Sequence, residues 1–229
     1  MIRRKKQAII VKHLSKKEFT VLVGARQIGK STLLKQIFED LKLQGEIVYF
    51  LNLDRKEILD ELNQNPENIF KLCPLNKDKK IIVFIDEIQY LDNATQFLKL
   101  LYDEYHNQLK IVATGSSAFY IDKKFKDSLV GRKKIFQMGT LDFEEFLLFK
   151  GRQDLVDELI LLKTNKKKKS INENLLWVYM DEFVNYGGYP AVVLEDNIEQ
   201  KIELLKDIRD SFIKRDILES GITEDTKFY

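Results

Sequence analysis

The sequence predicts an α/β protein: a parallel sheet covered on both faces, followed by an α-helical region. Three observations carry this. Short apolar runs alternate with segments of helical spacing up to about residue 138, as strand–helix–strand units with right-handed crossovers require. The first run ends in glycine and opens into a glycine-containing loop. After Thr140 the strand signal stops, and only helical patterns follow.

Residues 1–17 carry seven basic and no acidic groups around Ile9, Ile10, Val11 and Leu14, which reads as a short amphipathic helix. Phe19 to Val23, closed by Gly24, reads as a buried parallel strand. Leu33, Leu34, Ile37 and Leu41 mark a helix over 31–43, stopped by Gly45. Ile47 to Leu53 reads as a second strand. Ile58 to Leu72 is polar-helical with a break at Asn65-Pro66. Ile81 to Ile85 is a third strand. Gln96 to Tyr105 is a helix, Lys110 to Ala113 a fourth strand and Ile135 to Met138 a fifth. Helices are then expected over 141–150, 153–163, 174–186 and 199–219. In the third of these, Leu175, Leu176, Trp177, Val178, Met180, Phe183 and Val184 read as a core-facing stripe. Lys166–Lys169 with Ser170 reads as a linker, and Tyr186-Gly187-Gly188-Tyr189-Pro190 as a turn.

Composition narrows the function classes. The chain has 229 residues, 44% hydrophobic and 32% charged, enough for a sizeable core without staples. One cysteine, Cys73, excludes a disulfide scaffold and favours a reducing, cytoplasmic setting. His13 and His106 lie far apart with no cysteine beside either, against a zinc site. The five-residue run Ile81–Ile85 is far short of the about 20 residues of a membrane-spanning helix. The N-terminus lacks a signal-peptide apolar stretch. Net charge is +2, but residues 1–138 hold 25 Lys and Arg against 17 Asp and Glu, while 139–229 hold 13 against 19. The break suggests a core over 1–138 and a helical lid or linker over 139–229. The basic part suits a polyanion, nucleotide phosphates or nucleic acid, with two solvated faces of opposite sign as the alternative.

The strongest chemical signal is Gly24-Ala25-Arg26-Gln27-Ile28-Gly29-Lys30-Ser31, followed by Thr32, which matches G-x-x-x-x-G-K-[ST] between a strand and a helix. Its backbone N–H groups can surround a phosphate, and the helix start adds positive potential. Lys30 brings a mobile ammonium to the β- and γ-phosphates, and Ser31 a hydroxyl to Mg²⁺. Asp86-Glu87 follows the third strand directly, where ligands sit in open α/β sheets. Asp86 is placed to hold Mg²⁺ and Glu87 to activate a water. Thr114-Gly115-Ser116-Ser117 follows the fourth strand; Ser116 suits a γ-phosphate contact, with a helix N-cap at Ser116 or Ser117 as the alternative. Arg132 could stabilise charge on the transferred phosphoryl group, within its own subunit or on a neighbour's. The alternative is a solvated basic cluster with Lys123, Lys124 and Lys126.

Together with Ile85-Asp86-Glu87-Ile88-Gln89, Gly131-Arg132, Leu141-Asp142-Phe143-Glu144-Glu145-Phe146 and the 186–190 turn, these motifs resemble the bacterial and archaeal AAA-like P-loop ATPases whose loop reads G-x-R-Q-x-G-K-[ST]. The resemblance spans about residues 20–190. It implies an ASCE-type P-loop NTPase sheet of order 5-1-4-3-2, a helical region after it, and ATP as the nucleotide. With Mg²⁺ at Ser31 and Asp86 the expected function is ATP hydrolysis to ADP that drives a conformational change, and the alternative is a nucleotide-gated interaction module with slow or no hydrolysis. The resemblance implies Asp86 and Glu87 as the acidic pair, the 114–117 turn as γ-phosphate sensor and Arg132 as the arginine candidate. Family members commonly carry a further C-terminal domain, in some cases nuclease-like, and this chain is expected to stop before it. A homo-oligomer and a nucleic-acid partner stay open, the latter resting on Arg3-Arg4-Lys5-Lys6 and Lys166–Lys169. A GTPase fits poorly. No glycine follows Asp86 by three residues, and Asn76-Lys77-Asp78 precedes a strand instead of following one.

Overall fold

The computed structural model describes residues 2–116, 129–164 and 170–213. Ser117, Lys123, Lys124, Lys126, the Lys166–Lys169 run and the end of the expected last helix lie outside them.

The described residues fall into two compact units. One comprises Lys5–Ala25 and Gly29–Met138. It opens with helix α1 (Lys5–His13), strand β1 (Phe19–Gly24) and helix α2 (Lys30–Leu43). Strand β2 (Val48–Asn52), helix α3 (Lys56–Gln64), a 3-10 turn (Pro66–Asn68) and helix α4 (Ile69–Leu72) follow. Strand β3 (Ile81–Asp86), a 3-10 turn (Ile88–Tyr90), helix α5 (Ala94–Tyr105), strand β4 (Leu109–Ser116) and strand β5 (Lys133–Gln137) complete it.

All four strand pairings are parallel, and the order is β2-β3-β4-β1-β5. Read from the other edge this is 5-1-4-3-2, the order that the resemblance implied. β1 and β4 are buried along their whole length, because central strands of a sheet covered on both faces see no solvent. Alternation sorts the side chains of β1, β3 and β4. Val21, Val23, Val83, Ile85, Ile111 and Ala113 face a cluster with Leu98 and Leu101 of α5. Phe84 points the other way, edge-on to Phe38 of α2. Asn93 caps α5 by accepting the Gln96 N–H, and Asn65 caps the 3-10 turn at Pro66, which explains the break between α3 and α4.

The other unit comprises the described residues of Met1–Arg4, Arg26–Ile28 and Gly139–Tyr229. Its helices are α6 (Phe143–Phe149), α7 (Gln153–Thr164), α8 (Glu173–Tyr186), α9 (Pro190–Leu194) and α10 (Ile198–Phe212). Asp142 and Glu145 form a reciprocal capping box at the start of α6. Leu141, Phe146, Leu147, Leu155, Val156 and Val193 make its core. The glycine turn has a steric reason: a Cβ on Gly188 would lie 2.4 Å from the carbonyl oxygen of Leu141, whose N–H donates to the Gly188 carbonyl at 2.7 Å.

The apolar stripe expected on α8 is only half a core face. Leu175, Leu176 and Phe183 pack on the cluster, whereas Trp177 is 65% exposed and Val178 and Val184 are exposed too. Four consecutive apolar residues, 175–178, turn through about 300° of the helix, so they cannot share one face. Among the described residues no helix is long and apolar enough to cross a membrane.

Candidate functional site

The site is built at the C-terminal ends of β1, β3 and β4. β1 ends at Gly24, and the chain turns through Ala25–Gly29 into α2. Two residues of the turn take left-handed backbone: Gln27 at φ 61° and Gly29 at φ 92°. Glycine accepts this freely; at Gln27 it is strained, and such strain concentrates at functional sites. Ile28 buries its side chain completely, so only its backbone can serve a ligand. Ala25 and Arg26 are half-buried, and Gln27 and Thr32 exposed.

Lys30 is the first residue of α2 and is 5% exposed. Its ammonium donates to the carbonyls of Gly24 (2.9 Å) and Ala25 (2.8 Å), which folds the charge back over the mouth of the loop. In the next position the Ser31 hydroxyl donates to Asp86 Oδ1 at 2.9 Å. Asp86 closes β3 and is buried. The hydroxyl of Thr114, fully buried in β4, donates to the same Oδ1 at 2.5 Å. It also accepts the Glu87 N–H at 2.9 Å. Strands β3 and β4 and helix α2 are thus tied by one carboxylate oxygen and two hydroxyls. Parallel register makes this possible: Ile85 pairs with Ala113, so the next residues, Asp86 and Thr114, come side by side.

Glu87 has left-handed backbone, φ 59°, which turns it out of the line of β3 immediately beyond Asp86. Its carboxylate accepts the Gln89 side-chain amide, and the Gln89 carbonyl accepts the Ser116 N–H at 3.2 Å. The donor on one side and the acceptor on the other orient that amide. Ser116 is the buried last residue of β4, so Thr114 to Ser116 are strand rather than turn. Thr114 and Gln89 carry no local sign of these contacts, although Thr114 lies in the 114–117 segment and Gln89 in the 85–89 acidic motif.

Arg132 is not brought to this site within its own chain. It immediately precedes β5, its carbonyl accepts the Phe19 N–H at 2.9 Å, and β5 runs parallel to β1. That sets it at the N-terminal end of the sheet, the length of β1 (about 17 Å) from the loop. There it forms a two-pronged pair with Asp103 of α5, at 2.6 and 3.2 Å. That pair holds the Asp103 carboxyl below its usual range.

The donor set at the loop suits a hard cation. The Ser31 hydroxyl and the Asp86 carboxylate are oxygen ligands within hydrogen-bond distance of each other, the type that Mg²⁺ combines with phosphate oxygens and water.

The family model of an AAA domain matches residues 16–147. Two uncharacterized proteins of Methanocaldococcus jannaschii are similar, at 33% identity over 202 residues and 30% over 200. The matches cover 87% and 80% of this chain but only 42% and 40% of the relatives, so the chain spans about two fifths of the length of the curated relatives it matches. Among solved structures, AMPPCP-bound DnaA from Aquifex aeolicus superposes with a TM-score of 0.50 at 15% identity, covering 93% of this chain and 70% of that one. That likeness concerns the fold.

Proposed function

The chain belongs to the AAA domain family, and on that premise we propose that it binds Mg-ATP and hydrolyses it to drive a conformational change. One observation carries the reading: Ser31, Asp86 and Thr114 meet through a single carboxylate oxygen at the end of the loop that bears Lys30. Loop amides and Lys30 grip the phosphates. Ser31 and Asp86 would hold Mg²⁺, which would neutralise charge on the phosphate oxygens. Glu87 takes the proton of a water attacking the terminal phosphorus as the bond to the leaving diphosphate breaks. Ser116 reaches the site through its backbone link to Gln89. Arg132, at the far end of its own sheet, is proposed to act on the nucleotide of a neighbouring copy in a homo-oligomer. Residues 1–138 are proposed as the ATPase core and 139–229 as a helical lid or linker, in a cytoplasmic protein.

A second reading has its own observation. Gln89 engages the Glu87 carboxylate, and a base so held turns over slowly. The chain would then be a nucleotide-gated interaction module, with ATP or ADP fixing one conformation. Nucleic acid is the weaker partner proposal, because Arg4 of the basic N-terminal run is buried and engaged internally.

Turnover and binding measured on Glu87→Gln test the reading. We expect Mg-ATP affinity to be kept and turnover to fall by about a hundredfold. Equal turnover in the two proteins would remove Glu87 from the chemistry. Negligible turnover in both, with nucleotide still bound, would select the gated module.

A further inference from the structure

Arg4 precedes α1 and is 8% exposed. A buried guanidinium needs acceptors in several directions, and this one has four. Nε donates to Glu145 Oε1 at 3.0 Å. One terminal nitrogen donates to the Ile28 carbonyl at 2.8 Å. The other donates to the carbonyls of Gly139 (3.0 Å) and Thr140 (3.1 Å). Glu145 is itself fixed, since its other oxygen accepts the Asp142 N–H in the capping box. One side chain therefore joins the phosphate loop to the start of the helical region, and all of these residues belong to one compact unit.

The consequence lies in the Ile28–Gly29 peptide. A trans peptide is planar, with its C=O and N–H pointing in opposite directions. Holding the Ile28 oxygen therefore sets the direction of the Gly29 N–H, within a loop whose backbone at Gln27 and Gly29 is left-handed. The charge on Arg4 also polarises that peptide and makes its N–H a stronger donor.

We propose that Arg4 is a positioning residue for the phosphate grip, and that it makes loop occupancy and the seating of residues 139–145 a single linked equilibrium. The inference rests on the nucleotide reading above. By linkage, whatever fixes the loop fixes the 139–145 segment, and the reverse. Lysine cannot substitute, because a single ammonium does not span four acceptors set around a planar fork.

The test compares the wild-type chain with Arg4→Ala, Arg4→Lys and Glu145→Gln. Mg-ATP affinity is measured by calorimetry, and hydrogen exchange over 139–150 with and without Mg-ATP. We expect Arg4→Ala and Arg4→Lys to weaken binding by about tenfold or more, with Glu145→Gln weaker in effect. Mg-ATP should slow exchange over 139–150 in the wild type and leave it unchanged in Arg4→Ala. Added methylguanidine should restore part of the affinity of Arg4→Ala and leave the wild type unaffected, which a general loss of packing would not do. Should Arg4→Ala fail to fold, Glu145→Gln carries the test by the same two readouts. Wild-type affinity in the Arg4 variants, or an equal exchange response with and without the guanidinium, overturns this inference alone. A wild type that binds no Mg-ATP overturns the nucleotide reading beneath it.

Discussion

Two lysines are buried at opposite ends of the same sheet, and they differ in their company. Lys30, at the C-terminal end, donates to two carbonyls of its own loop. Lys110, at the N-terminal end of β4, is fully buried and donates to the carbonyls of His13, Lys16 and Glu18. Burial and pairing are common to both. Around Lys30, however, stand left-handed backbone at Gln27 and Glu87, a buried carboxylate and two hydroxyls converging on it. Lys110 closes the α1–β1 connection, and desolvation by burial pushes its pKa down to about 8. A buried cation is thus no mark of a site; a buried cation beside an acidic strand end and strained turns is.

Substitution should separate the two ends. Lys30→Ala is expected to lower Mg-ATP affinity by about a hundredfold, with a smaller stability loss than Lys110→Met because two carbonyls rather than three lose their donor. Lys110→Met should do the converse. Three carbonyls lose their donor, at a net cost of about 2 kcal/mol to urea stability near neutral pH, with affinity kept. A Lys110 variant that loses nucleotide binding while stably folded would break the comparison.

The pH dependence sharpens it. The folded pKa of Lys110 lies below its ordinary value of 10.5, so the unfolded chain holds the proton more tightly between about pH 8 and 10.5. The stability linked to this group is complete above 10.5 and is lost as pH falls through about 8. Wild-type stability should therefore gain up to about 3 kcal/mol relative to Lys110→Met across that window, as read from urea melts at pH 7.5 and 10. An equal slope in both proteins would contradict the assignment. The smallest effect belongs to Arg132→Ala. At high dilution its turnover should match wild type, and only the rise of specific activity with protein concentration should disappear.

The loop was legible because its mechanism demands contiguous residues: successive amides must be neighbours in the chain. Asp86 and Glu87 were legible because they follow an unbroken apolar run. Thr114 was obscured because β4 extends three residues past the Ala113 end that its apolar pattern suggested. Its partnership with Asp86 also depends on strand register, which no single stretch encodes. The position of Arg132 follows from its lying before the fifth strand, on the end away from the loop. Arg4 left no local signal. A basic residue in a basic run reads as surface, and only the packing of distant segments buries it. On α8, apolar composition was plain, but composition does not say which side of a helix finds a partner.

Calorimetric titration of Mg-ATP into the wild-type chain, with Lys30→Ala in parallel, tests the central claim most directly. The account predicts saturable one-to-one binding by the wild type that the folded variant loses. Equal binding by both proteins, or no heat from either, would contradict it.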